Sequence, residues 1–362
     1  MKSSYGENLK LTIYGASHGD KIGMTLEGIP AGLAMDPEKL QAFLNRRAPG
    51  QNQWSTTRKE ADIPHFLSGI TDGYTNGETI EAVIYNENIK RSDYNDLKYI
   101  PRPGHADFTA WMKYGLDFDM SGGGPFSGRM TAPLCIAGGL CKQWLESKGI
   151  RIGAHILYIS TGEHCDHYFD SLNPEIDQID QTFPVLNPDV GREMRYLISR
   201  LHTDGDSAGG LVECAVTGLP VGIGSHLFGG VESHLSQIIY AIPAVKEIRF
   251  GNDAVSIDML GYEYNDNLCI KNGKITFDSN NAGGILGGIT TGMPVIFQVG
   301  FKPTPSIARP QKSVNLKTME EVTIEVKGRH DSCIVPRAVP VVEAVTALVL
   351  LDLLLEEHYG TF

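Results

Sequence analysis

Two histidines in this chain stand among small residues, close to arginines. His18 lies in Gly15-Ala16-Ser17-His18-Gly19, and His105 lies in Arg102-Pro103-Gly104-His105-Ala106-Asp107. A third stretch, Gly328-Arg329-His330-Asp331, sets a carboxylate beside an arginine. Imidazole exchanges a proton near neutral pH more readily than other side chains. Guanidinium is the best fixed partner for phosphate and carboxylate. Together they point to proton transfer on a small, strongly anionic substrate.

Glycine-rich stretches surround these motifs. Ser121-Gly122-Gly123-Gly124-Pro125-Phe126-Ser127-Gly128-Arg129 reads as a turn feeding a helix, where backbone N–H groups can hold an anion. It matches neither the phosphate-loop pattern nor the dinucleotide fingerprint. Residues 280–292 carry a denser glycine run that leaves room for a flat ring or a phosphate against the backbone. Lys302-Pro303-Thr304-Pro305-Ser306 follows, a rigid turn with one cation and two hydroxyls. With Arg-His-Asp, these stretches read as a cofactor cradle; tight backbone packing is the alternative. The carboxylates of Asp204-Gly205-Asp206-Ser207 fit a turn better than a metal site. His164-Cys165-Asp166-His167 reads as exposed polar residues rather than ligands.

The elements that must position these residues alternate without a strict strand–helix–strand rhythm. Residues 9–14, 151–160, 211–217, 294–300 and 321–327 read as strands. Asp36-Pro37 starts a helix that ends at Pro49-Gly50 and puts Arg46 and Arg47 near its C-terminal end, where compensation of the helix dipole is the plain reading. Residues 131–148, 231–242 and 340–358 read as helices, the last entered through Pro340. Residues 161–190 read as a polar peripheral excursion. Turn-like separators such as Lys271-Asn272-Gly273-Lys274 favour antiparallel pairing. The expectation is one α+β domain spanning residues 1–362.

The 362 residues suffice for a large core, and the net charge is −12. No basic run supports a nucleic-acid partner, so an anionic substrate needs arginines gathered by folding. Six cysteines without regular spacing disfavour structural zinc and a disulfide framework. The N-terminal residues lack an apolar signal region, and the apolar stretch 344–355 reads as too short to span a bilayer. A cytoplasmic location is expected, with no membrane partner.

Seven motifs in order, from Gly15 to about Ala344, resemble those of the chorismate synthase family. They are Gly-Ala-Ser-His-Gly, Arg-Arg-x-Pro-Gly-Gln, Arg-Pro-Gly-His-Ala-Asp, Gly-Asp-Ser-x-Gly-Gly, Ala-Gly-Gly-Ile-Leu-Gly-Gly-Ile, Lys-Pro-Thr and Gly-Arg-His-Asp. The resemblance implies a β-α-β sandwich with antiparallel sheets flanking a helical core, assembled as a homotetramer. It implies a lyase that converts 5-enolpyruvylshikimate 3-phosphate to chorismate and phosphate by 1,4-anti elimination, requiring reduced FMN without net redox change. By resemblance, His18 protonates near the departing phosphate, and His105 protonates or stabilises the reduced flavin. Asp331 assists removal of the ring proton, with Ser17 and Ser127 as hydrogen-bonding support. Arg47, Arg102, Arg129 and Arg329 would hold phosphate and carboxylates. Ser127, Asn265, Gly287, Lys302, Pro303, Thr304, Pro305, Ser306 and Arg329 would line the FMN.

The chemistry agrees. Loss of an allylic phosphate builds charge that arginines and an imidazolium stabilise, and removing a proton from carbon calls for a dry site or an electron-rich cofactor. Three positions depart from the family pattern: Gln53, Pro125-Phe126 and Met130. Lost cations weaken anion contacts by about 1.5–3 kcal/mol each, which motivates an alternative, a flavin-binding homologue without lyase activity. A phosphohydrolase built on the same arginines is a third reading. Both routes to reduced flavin, a nicotinamide cofactor and an external reductant, stay open.

Overall fold

The computed structural model describes residues 2–50, 60–86, 97–160, 164–251, 256–326 and 331–356. Two antiparallel sheets enclose a layer of helices. The first contains, in spatial order, β1 (Ser4–Tyr5), β2 (Lys10–Gly15), β3 (Lys21–Glu27), β7 (Ile80–Tyr85) and β4 (His65–Ser68). A short hairpin, β5 (Ile70–Thr71) and β6 (Tyr74–Thr75), lies between β4 and β7 in the chain. The second sheet runs β10 (Val245–Phe250), β15 (Val295–Phe301), β9 (Gly210–Thr217) and β8 (Arg151–Ile159). Three further hairpins are β11 (Leu268–Lys271) with β12 (Lys274–Phe277), β13 (Ile285–Leu286) with β14 (Ile289–Thr290), and β16 (Gln311–Asn315) with β17 (Glu320–Ile324).

The helices are α1 (Pro37–Arg47), α2 (Asp107–Tyr114), α3 (Thr131–Ser147), α4 (Pro188–Thr203), α5 (Val231–Ile239), α6 (Gly261–Tyr264) and α7 (Val335–Glu356). The start of α1 is the expected one: Asp36 Oδ1 accepts from the N–H groups of Glu38 and Lys39, with Pro37 in the first turn. Helices α3 and α7 are apolar around most of their circumference because they lie between the sheets; α3 packs on β3 and β8, and α7 on β8 and β9. Gly138 permits the closest approach between them, since a Cβ there would meet the Ala344 carbonyl oxygen at 2.3 Å.

The structure revises several expectations. Helix α7 starts at Val335, so Pro340 lies inside it rather than at its entry, and residues 357 and 358 fall outside the described residues. At 22 residues α7 is long and apolar enough to cross a bilayer, contrary to the shorter stretch read from sequence. It is instead buried within the fold. The described part of the expected excursion 161–190, residues 164–190, is a packed cover over the outer face of the second sheet, and residues 161–163 lie outside the described residues. Phe169 and Ile179 are buried against Ala215 and Ile296 of that sheet and Phe183 is buried in the main core, each worth about 1.5–3 kcal/mol. Asn187-Pro188 is no peripheral turn; it caps α4, with Asn187 Oδ1 accepting from Asp189 N. Nor is Asp166 an exposed polar residue. It is buried, accepts from the backbone N–H groups of Leu186 and Asn187, and lies 3.6 Å from His155.

Candidate active site

Loops from both sheets and from the helix ends meet around one cavity of about 1170 Å³. Strand β2 ends at Gly15 and delivers Ser17 and His18. The 101–107 loop delivers Arg102 and His105 at the start of α2. The 121–129 turn delivers Ser127 and Arg129 ahead of α3. Arg47 comes from the last turn of α1, Lys302 to Ser306 from the end of β15, and Asp331 from the approach to α7. Of the residues expected at the site, His18, His105, Asp331, Ser17, Ser127, Arg47, Arg102, Arg129, Lys302, Thr304, Pro305 and Ser306 line this cavity. Pro303 belongs to the same turn without lining the cavity. Asn265, at the end of α6, and Gly287, in the β13–β14 turn, are not on the cavity wall. Arg329 and Gln53 lie outside the described residues.

The glycine turn works by close approach. Gly122 and Gly123 take φ of 60° and 89°, the left-handed region that glycine adopts at little cost. An added Cβ on Gly122 would sit 2.1 Å from the His18 ring, and one on Gly123 would sit 3.3 Å from His105 Nε2. The two imidazoles therefore flank one glycine pair. Ser17 N donates to the Gly124 carbonyl, fixing the His18 loop to the same turn. Gly122→Ala should displace His18 and lower turnover by about 10²-fold, as angstrom-scale misplacement does. Steady-state rates beside an unfolding curve check this; an unchanged rate would show that His18 tolerates displacement.

The arginines are held from behind by carboxylates. Asp62 joins two of them: Arg47 Nη2 lies 2.8 Å from Asp62 Oδ2, and Arg129 Nη1 donates to Asp62 Oδ1. Burial alone would raise the Asp62 carboxyl, but these guanidiniums hold it below the ordinary carboxylate range. Arg129 Nε also donates to Asn86 Oδ1, and Asn86 Nδ2 donates to the carbonyls of Ala16 and Gly19. Arg102 donates through Nε and Nη2 to Asp107 and through Nη1 to Ser306 Oγ. Much of its guanidinium is thus committed within the protein. Lys302 Nζ donates to the Gly104 carbonyl and ties the rigid turn to the His105 loop. Ser207 Oγ donates to the Thr304 carbonyl, so the Gly-Asp-Ser motif supports that turn from outside the cavity.

Sequence reasoning missed Arg337. Its Nη1 donates to Asp331 Oδ2 at 2.5 Å and its Nε to the Arg47 carbonyl at 2.9 Å, and it lines the cavity. Burial lowers its pKa, an effect that Asp331 opposes. Arg46 and Arg47 both do more than offset a helix dipole. Arg46 makes a two-pronged pair with buried Glu343, while Arg47 faces the cavity. The described lining sets Arg47, Arg102, Arg129, Arg337, Lys246 and Lys302 against a single carboxylate, Asp331. In a chain of net charge −12, such a local excess of cations requires an anionic occupant to be useful.

Sandwiched sheets with a cation-lined cavity, two imidazoles and a carboxylate define an enzyme for a small anionic substrate. The chorismate synthase family profile matches residues 9–355. A chorismate synthase of Lancefieldella parvula is 43% identical, covering 98% of this chain and 96% of that protein. One from Korarchaeum cryptofilum is 40% identical over 98% of both. A crystal structure of chorismate synthase superposes with a TM-score of 0.77 at 27% identity, covering 99% of this chain and 95% of that one. The chain belongs to the chorismate synthase family, whose members are lyases.

Proposed function

We propose that this chain converts 5-enolpyruvylshikimate 3-phosphate to chorismate and phosphate by 1,4-anti elimination, with reduced FMN bound beside the substrate. The observation that supports this reading best is His18 and His105 set on either side of Gly122–Gly123, above a cavity that also holds Asp331. The cavity volume of about 1170 Å³ exceeds the usual range for one small ligand, about 300–1,000 Å³, so two ligands fit together. Thr304 Oγ1 is buried with no hydrogen-bond partner among the described residues, an orphan that a polar ligand satisfies. FMN suits these surroundings, with Lys302, Thr304, Pro305, Ser306 and Ser127 as the residues that hold it. When bound, the reduced flavin supplies electron density for breaking an allylic C–O bond without net redox change.

The chain's own groups do the rest. Arg47, Arg129 and Arg337 hold the phosphate and carboxylates, with Arg102 as a further contact. His18, buried against the glycine turn, gives a proton to the departing phosphate. His105 holds or moves a proton on the flavin side. Asp331, oriented by Arg337, takes part in removal of the ring proton. Exposed apolar side chains at Leu227, Phe228, Leu260, Tyr262, Ile270 and Ile275 suit burial against other copies and support a homotetramer. Six free cysteines accord with a reducing cytoplasm.

The test is phosphate release under anaerobic conditions with substrate and chemically reduced FMN. Release is expected only when both are present. Release without flavin would replace this reading with a phosphohydrolase. Flavin binding with no release would favour the binding homologue, through the changes at Gln53, Pro125-Phe126 and Met130.

A further inference from the structure

The contacts around Asp107 connect the first turn of α2 to the cavity. Asp107 is 2% exposed. Its Oδ2 accepts from Arg102 N at 3.0 Å and Arg102 Nε at 2.7 Å. Its Oδ1 accepts from Arg102 Nη2 at 2.9 Å and lies 2.7 Å from His105 Nδ1. His105 Nδ1 is also 3.2 Å from Arg102 Nη2. Arginine only donates and an ionised carboxylate only accepts, so the contacts decide the tautomer. An unprotonated Nδ1 would set its lone pair against a carboxylate oxygen at 2.7 Å. A protonated Nδ1 makes that contact a charge-assisted hydrogen bond. The longer Arg102 contact is then the third edge of a triangle in which both Arg102 Nη2 and His105 Nδ1 donate to Oδ1.

We propose that Asp107 is a positioning residue that acts through His105: it keeps the proton on Nδ1 and leaves Nε2 as the nitrogen that exchanges protons in the cavity. Nε2 is the ring atom turned toward Gly123, 3.3 Å from where a Cβ would stand. Neutral His105 therefore accepts a proton at Nε2, and its imidazolium donates one there. The charged groups bearing on His105 are Asp107, Arg102 and Lys302. Burial lowers its pKa, the Asp107 contact raises it, and the two cations lower it. The Asp107 carboxyl keeps its own charge: burial would raise it, but the bonds from Arg102 and His105 hold it well below the ordinary range.

This inference deepens the reading that His105 works in the cavity, and its first test is independent of turnover. The full-length protein is labelled with 15N-histidine, without substrate or flavin, and His105 is assigned from the missing signal in His105→Gln. The expected wild-type spectrum shows Nδ1 protonated and Nε2 unprotonated above the His105 pKa. Asp107→Asn removes the charge and offers an amide N–H to Nδ1, which favours the opposite tautomer. The His105 acid dissociation constant should then rise about tenfold or more, equivalent to one pH unit. In turnover, kcat should fall about tenfold or more, with its acid-form pH limb moved to lower pH, and Asp107→Glu should restore part of both. A wild-type spectrum with Nε2 protonated, or an Asp107→Asn protein that folds with the His105 tautomer and dissociation constant unchanged, would overturn the proposal. If Asp107→Asn fails to fold, the wild-type tautomer and the Asp107→Glu titration still decide it. A correct tautomer in a chain that forms no chorismate would leave the assignment of Asp107 standing and sink the reading of the reaction.

Discussion

Replacing His105 by alanine lowers turnover by at least tenfold, of order 10²-fold, while the fold persists, and Asp331→Ala does the same. A positioned acid or base contributes about 10²–10⁴-fold, and both side chains face the cavity. His105 belongs to none of the hydrophobic core clusters, so its loss leaves the packing of α3 and α7 intact. Asp331→Ala has a second consequence, since Arg337 loses the carboxylate on its Nη1. Asp331→Asn keeps a hydrogen-bond acceptor there and separates the two effects. Turnover measured beside a thermal unfolding curve is the check. Near-normal turnover in both alanine variants would remove these residues from the mechanism.

Glu343→Ala should destabilise the fold by about 3–5 kcal/mol, the cost of leaving buried charges without their partner. Glu343 is 2% exposed at the centre of α7. It accepts from Arg46 Nη1 at 2.9 Å and Nη2 at 2.7 Å, and lies 3.4 Å from Lys142 Nζ. Burial would raise its pKa, but Arg46 and Lys142 hold it below the ordinary range. The three residues come from α1, α3 and α7, so this one carboxylate ties the helical layer together. Denaturant unfolding reads the loss directly. A change below about 1 kcal/mol would mean that the pair is exposed enough to be screened.

The chemistry was more legible in the sequence than the framework. Short motifs with fixed residue types gave the two histidines, three of the described arginines and the Lys302 turn, because the reaction needs those side chains whatever surrounds them. Asp62 and Arg337 left no such mark. Asp62 acts only through its contacts with Arg47 and Arg129, which folding creates across more than sixty residues of chain in the case of Arg129. Arg337 follows Asp331 by six positions, in the first turn of α7. Starting that helix at Pro340 left it in apparent coil. Helix α4 was hidden by Asn187-Pro188, a pair that serves equally as a turn and as a helix start; the buried Gly191, Met194 and Ile198 recur at helical spacing and were the available signal. The cover over the second sheet looked peripheral because its polar residues outnumber its anchors. Helix α1 and the β11–β12 hairpin were legible because a cap with proline and an Asn-Gly turn are local signals that tertiary packing did not override.

The measurement closest to the central claim is the absorbance of the conjugated diene, followed anaerobically after mixing the full chain with chemically reduced FMN and 5-enolpyruvylshikimate 3-phosphate. Hydrolysis of the phosphate ester releases phosphate without creating that chromophore, so the diene reports elimination alone. The account predicts that the diene appears with reduced FMN, is absent with oxidised FMN, and forms at least tenfold more slowly in His105→Ala. Phosphate release with no diene, or a diene that forms without reduced flavin, would contradict it.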